Sequence, residues 1–424
     1  MITQHHLALC GALIVACGEP PTAAPEVHES RLTGIENLHP PPPVAACRAG
    51  VAALTGGVAW STPAQAAAAM GSSGALWLCP GTYDTAMIFP GQGPYLIASV
   101  TGDPDDVILE GSNGSQGGAF VFPSRRDVVA KVTGMTFDDR YGGQFGEFVF
   151  VVADGSRIEI EDVAIRNMTS RPGFFDYILT MSGISKLTVR RLLIEDSSQH
   201  FIFDVSGGGL AGPAEVLIED YTCRGNREGS SCLDLYAPDA FGVYNGLDAT
   251  VRRAVMTDNE LLEPAIDLLG GAWRLDIEDS LFEGNVIGDL AHGASGGVVE
   301  ASLWDSRYRD PEGRLTIRRS SFRDNLTADA GSAVTLINNM GDHEWEIAAD
   351  ISDTELLRNT SLNTRDGTTI MPPAYGAVRL TNVDLGTGAD NNVPTDVRRC
   401  GGGDLGAGTD LLFLGSIRTG ASCR

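Results

Sequence analysis

Leu315-Thr316-Ile317-Arg318-Arg319-Ser320-Ser321-Phe322-Arg323-Asp324-Asn325 decides how this chain folds. Leu315 and Ile317 share one face of a strand by alternation, and so do Ser320 and Phe322. Ile317 and Phe322 are separated by an odd number of positions, so one straight strand cannot point both inward. A corner must lie between them, at Arg318-Arg319. The same frame fits Val132 to Phe137, Ile158 to Asn167, Leu187 to Ile194, Val216 to Asn226, Ala249 to Asn259, Leu275 to Asn285, Ala349 to Asn359 and Val378 to Leu385.

The corner doublet changes sign from one repeat to the next: Glu161-Asp162, Arg190-Arg191, Glu219-Asp220, Arg252-Arg253, Glu278-Asp279, Arg318-Arg319. Self-similarity every few tens of residues marks a solenoid. With one repeat per coil, each acidic doublet lies between two basic ones, worth roughly 0.2–1 kcal/mol per pair. A slip by one coil would set acid on acid, so the alternation reads as a register device. Asn closes many phrases, at Asn167, Asn226, Asn259, Asn285, Asn325 and Asn359. Asn tolerates left-handed backbone and its amide can bond the amide of the next coil, so an internal Asn stack is expected.

A third strand follows each Asn after a loop of variable length. Its members are Phe203-Asp204-Val205, Leu233-Asp234-Leu235, Ile266-Asp267-Leu268, Val299-Glu300-Ala301 and Val334-Thr335-Leu336. The flanking apolar residues point in, so the middle residue points out. Asp204, Asp234, Asp267 and Glu300 would then stack on four successive coils with no base among them. Carboxylates about 5 Å apart repel unless something neutralises them. Three explanations compete: compensation by neighbouring Arg or Lys, a divalent cation such as calcium held by these four carboxylates, or paired carboxylates for glycoside hydrolysis.

Composition narrows the partners. The chain has 424 residues with a formal charge of −25, which disfavours nucleic acid and anionic membrane surfaces and favours cations or basic partners. A solenoid grows by stacking, so one elongated domain and a monomer are expected. Gly is abundant, at 52 residues, and aromatics make up 7%, as many tight turns around a narrow core require.

The apolar run Leu7 to Ala16 is too short to span a bilayer and suits an export signal. It ends in Ile14-Val15-Ala16-Cys17, which resembles the lipobox of bacterial lipoproteins; the resemblance implies lipidation of Cys17, and Gly18 after it implies passage to the outer membrane. Residues 1–17 therefore read as a lipoprotein-type signal peptide, 18–46 as a Pro-rich tether, 47–395 as the β-helix and 396–424 as a C-terminal cap. Without lipidation the protein would be secreted. Six further cysteines fall in local couples, Cys47 with Cys79, Cys223 with Cys232 and Cys400 with Cys423, which read as disulfides of an oxidising compartment. Cys223 occupies a repeat position filled elsewhere by Ile194, Met256 and Phe282, so a buried free thiol is the alternative there.

Ser61-Thr62-Pro63 before an Ala-rich run to Met70 predicts a short helix, followed by a strand from Ala75 and the turn Pro80-Gly81-Thr82-Tyr83. This entry resembles the start of right-handed parallel β-helix proteins of the pectin-lyase-like superfamily, where the helix covers the open end of the first coil. The fold class expected is all-β, a single-stranded right-handed parallel β-helix with a short N-terminal capping helix. The resemblance makes a polysaccharide lyase or glycoside hydrolase the rival function. The chain departs from those enzymes, having no Arg-Ile-Lys and a single His-Gly, at His292-Gly293, while His200 and His343 have no motif partners. Recognition of a polysaccharide or cell-surface polymer is thus the leading expectation. Phe174, Phe175, Tyr177, Tyr236, Phe241, Tyr244 and Trp304 lie near loops, to pack them or to stack on sugars.

Overall fold

The computed structural model describes residues 40–393, less the stretches 85, 111–119, 122–126, 139–148, 151–154, 169–176, 199–200, 208–212, 238–245, 289–295, 304–311, 329–330, 339–345, 363–367 and 374, together with 408–414. In it the phrases stack as the frame requires. Ile97, Val132, Ile160, Val189, Ile218, Val251, Ile277, Ile317, Ile351 and Leu380 face one another in turn along one parallel sheet. All ten are buried, and the register holds although the intervening loops differ in length. Beyond the corner, Ile194, Cys223, Met256, Phe282, Phe322 and Leu356 form the matching column of a second sheet. The Phe282 and Phe322 rings stack with centroids 4.5 Å apart. A third sheet runs through Phe201–Gly207, Leu233–Ala237, Ile266–Gly270, Val299–Leu303, Gly331–Ile337 and Thr368–Met371. This is a parallel β-solenoid of the expected class, with very little helix.

The corner is made by one left-handed residue. The second member of each doublet has positive φ: Asp162 53°, Arg191 53°, Asp220 55°, Arg253 52°, Asp279 52° and Arg319 48°. Such backbone costs an L-residue roughly 1–2 kcal/mol, so each corner needs compensation. Two kinds are present. The strained N–H donates to the next coil, from Arg253 to the Glu278 carbonyl at 3.0 Å and from Asp279 to the Arg318 carbonyl at 3.1 Å. The side chains then pair across coils. Each second-position Arg reaches back to the preceding acid, Arg253 onto Asp220 at 2.7 and 3.0 Å and Arg191 onto Asp162 at 2.5 and 2.8 Å. Two of the first-position arginines reach forward, Arg190 to Glu219 at 3.2 Å and Arg252 to Glu278 at 3.3 Å, whereas Arg318 faces Ser352 on the next coil.

The Asn stack forms, with one shift. Asn226, Asn259, Asn285, Asn325 and Asn359 are buried, and each Nδ2 donates to the Oδ1 of the next, at 3.0, 2.9, 2.9, 2.8 and 3.2 Å; Asn392, missed in the sequence, receives the last bond. Each Nδ2 also donates to a main-chain carbonyl one coil back, for example Asn285 to Met256 at 2.8 Å. Asn167 is not a rung. It takes the left-handed position just before the ladder, φ 57°, shared with Asp196, Asp258 and Asp324, and Met168 follows in the ladder position. There Met168 has no side-chain amide to offer, and its main-chain N–H donates to Ser197 Oγ at 3.2 Å.

The capping helix spans Pro63–Ala69, with Thr62 Oγ1 accepting from the Gln65 N–H. Ala66 and Ala67 seal the first coil, fully buried. Cys47–Cys79 ties down the entry and Cys223–Cys232 links the second sheet to the start of the third, so Cys223 is not a free thiol. Cys17, Cys400 and Cys423 lie outside the described residues. Among the described residues no helix is long and apolar enough to cross a membrane.

Candidate functional site: an acidic column on the third sheet

Third-sheet register sets Asp204 against Asp234, Asp234 against Asp267 and Asp267 against Glu300. Thr180 precedes the column and Thr335 follows it. The flanking Phe203, Val205, Leu233, Leu235, Ile266, Leu268, Val299 and Ala301 are fully buried in the core. Alternation therefore turns the four carboxylates to the outer face.

That face is not the open sheet the alternation suggests. Asp267 is only 7% exposed, and Asp204, Asp234 and Glu300 are half-buried. Part of the cover is a glycine pair: a Cβ added to Gly296 would lie 1.8 Å from Glu300 Oε2, and the Gly297 N–H donates to Thr335 Oγ1 at 2.9 Å. The main chain rests close to the Glu300 end of the column, and a side chain at Gly296 would displace the Glu300 carboxylate. Path, not composition, determines this cover, so no strand pattern could have revealed it.

Burial sets the chemistry. It pushes the Asp204 carboxyl up to about 6. Asp234 is pushed up to about 8 by burial first, then by the charges of Asp204 and Glu263. Asp267 is pushed well above the usual carboxylate range by burial, then by Glu300, Asp234 and Glu263, against a main-chain hydrogen bond at Leu268 that lowers it. No Arg, Lys or His bears on these three carboxyls among the described residues, so the expected compensation by neighbouring bases is not found there. Among the described residues Asp234 Oδ1 and Asp267 Oδ1 are buried without a hydrogen-bond partner.

The next outward row is Ser206, Tyr236, Leu269 and Ser302, which places Tyr236 beside Asp234 on the same face. Of the loop aromatics and histidines, Phe174, Phe175, Phe241, Tyr244, Trp304, His200, His292 and His343 lie outside the described residues. Among the described residues no group of three or more His, Cys, Asp or Glu side chains could hold a metal ion. One carboxylate per coil forms a row along the rod axis.

No family model and no curated protein sequence matches the chain. Among solved structures it is similar to the catalytic domain of a GH87 α-1,3-glucanase in complex with tetrasaccharides, at 12% identity and a TM-score of 0.46 over 83% of this chain and 66% of that one. It is also similar to the Streptococcus pneumoniae surface protein and adhesin PfbA, at 10% identity and a TM-score of 0.29 over 84% of this chain and 94% of that one. The chain thus spans just under two thirds of the glucanase domain. Both likenesses are of fold, and neither bears on what this chain does.

Proposed function

We propose that this chain is an exported solenoid that recognises a repetitive polymer, a polysaccharide or cell-surface polymer, along the outer face of its third sheet. One observation carries the reading: Asp204, Asp234, Asp267 and Glu300 form an acid-only row over four coils in a fold whose corner charges pair across coils. A structural stack has a cheaper solution, the Asn ladder one strand away, in which every amide is satisfied. Asp234 and Asp267, each with one carboxyl oxygen buried and unpartnered among the described residues, cost stability where they stand. A row repeating coil by coil suits a ligand that repeats along the rod axis, and Tyr236 offers a ring beside it. The disulfides suit an oxidising compartment. In this reading Cys17 carries a lipid, residues 18–46 hold the rod off the outer membrane, and Cys400 pairs with Cys423 in the last cap. Retention of intact glycans on an array, reduced by Asp234→Asn, is the expected outcome; an array with no retained polymer of any class sinks the proposal.

The second reading is a polysaccharide lyase or glycoside hydrolase. What favours it is the contact of carboxyls with different proton affinities, Asp204 up to about 6 and Asp234 up to about 8, as an acid and base pair requires. New reducing ends or unsaturated products that vanish in Asp234→Ala would establish it over simple binding.

A further inference from the structure

We infer that the acidic column takes a row of alkylammonium groups, so that its ligand is a linear polycation bearing about one amine per coil. This rests on the column being the binding face. Three observations lead to it. First, Asp234 Oδ1 and Asp267 Oδ1 are buried acceptors with no donor, and Asp267 is 7% exposed. An ammonium carries three N–H donors and no acceptor, and its bonds to a carboxylate are charge-assisted. Second, among the described residues the charges bearing on Asp234 and Asp267 are all negative, including that of Glu263. A uronic acid polymer would add to that repulsion, and a neutral glycan would leave it in place. A cationic ligand removes it. Third, the pitch agrees. Coils repeat at about 4.8 Å, and ammonium nitrogens separated by three extended methylenes lie about 5 Å apart. The Gly296 main chain lies against the Glu300 end of the column, while Leu269 and Tyr236 beside the acids supply apolar contact for methylenes or sugar rings.

The test is calorimetric titration of the whole exported chain, at low salt and neutral pH, with spermine and separately with a glucosamine tetramer. Saturable binding of at least one probe is expected, weakened at least tenfold in the double variant Asp234→Asn with Asp267→Asn and unchanged in the corner variant Asp279→Asn. Leu269→Lys places a tethered ammonium beside the column and should block binding in a chain whose acids are all intact. That variant serves if the double variant does not fold. Absence of saturable binding by both probes overturns the inference, as does undiminished binding in the double variant or in Leu269→Lys. The arms separate the two proposals. If neutral glycans are retained on the array but neither amine binds, the ammonium inference falls and polymer recognition stands; if spermine alone binds, the ligand chemistry stands and polymer recognition falls.

Discussion

Arg319 forks back onto Asp279 of the preceding coil, Nε to Oδ1 at 2.7 Å and Nη2 to Oδ2 at 2.9 Å, while both residues hold left-handed backbone. The fork therefore joins two strained corners. Both side chains are about half exposed, 51% and 44%, so solvent screens the pair and its loss should cost about 0.5–1 kcal/mol. Arg319→Ala loses the fork and keeps the strain. Arg319→Gly loses the fork and relieves the strain, so it should be the more stable of the two by up to about 1 kcal/mol. Urea midpoints of the two variants check the order.

Opposite substitutions at two stacks should have opposite signs. Asn285→Asp keeps the acceptor that Asn259 reaches at 2.9 Å but replaces the Nδ2 that donates to Asn325 Oδ1 at 2.9 Å and to the Met256 carbonyl at 2.8 Å with a buried charge; loss of that donor should destabilise by about 2–4 kcal/mol. Asp234→Asn removes a buried charge repelled by its neighbours and should stabilise by about 1–3 kcal/mol at pH 8. Thermal melts of the two variants against wild type would show whether the signs differ.

Stability should fall as pH rises through neutrality. The neutral forms of Asp204 and Asp234 favour the folded state, fully so below about pH 4, where the unfolded carboxyls are also protonated. That contribution is lost as pH rises through about 6 for Asp204 and about 8 for Asp234. The corner acids act in the other sense. Hydrogen bonds from Arg253 and Arg319 hold Asp220 and Asp279 below the usual range, so their small contribution is present above about pH 4 and lost as pH falls through the lowered values. The melting temperature should peak in mild acid and decline toward pH 8, and Asp234→Asn should flatten the upper part of the decline. A profile that climbs steadily from pH 5 to pH 8 would contradict the burial of these carboxyls.

Reduction should be felt at the middle disulfide. Cys223 and Cys232 are nine positions apart, and closing a loop of that size is worth about 2–3 kcal/mol. Cys223 also belongs to the second-sheet column between Ile194 and Met256, so Cys223→Ala with Cys232→Ala removes core volume as well. Cys223→Val with Cys232→Ala should recover part of the loss, measured by denaturant titration under non-reducing conditions.

Side-chain periodicity carried most of the architecture because in-or-out alternation is what it encodes. The odd spacing of Ile317 and Phe322 located the corner, and Arg319 is the residue that turns it. The acid column was legible for the same reason: Phe203, Val205, Ile266 and Leu268 fix which way Asp204 and Asp267 point. What periodicity does not encode is φ. Arg191, Arg253 and Arg319 are not residue types that favour left-handed backbone, so the strained position was visible only once the backbone was. The same blindness misplaced Asn167, which suits either of two adjacent positions. Nor does a strand pattern report what lies across the strand, as the main chain of Gly296 lies against Glu300.

The sign alternation of the corners carries a parity rule. Arg253 is matched to Asp220 and Arg319 to Asp279, so removing or duplicating a single coil would bring two doublets of the same sign together. Removing or duplicating two adjoining coils keeps each corner doublet facing one of opposite sign. Rods of this lineage should therefore lengthen and shorten in steps of two, and in engineering the natural cassette is the acid-and-base coil pair.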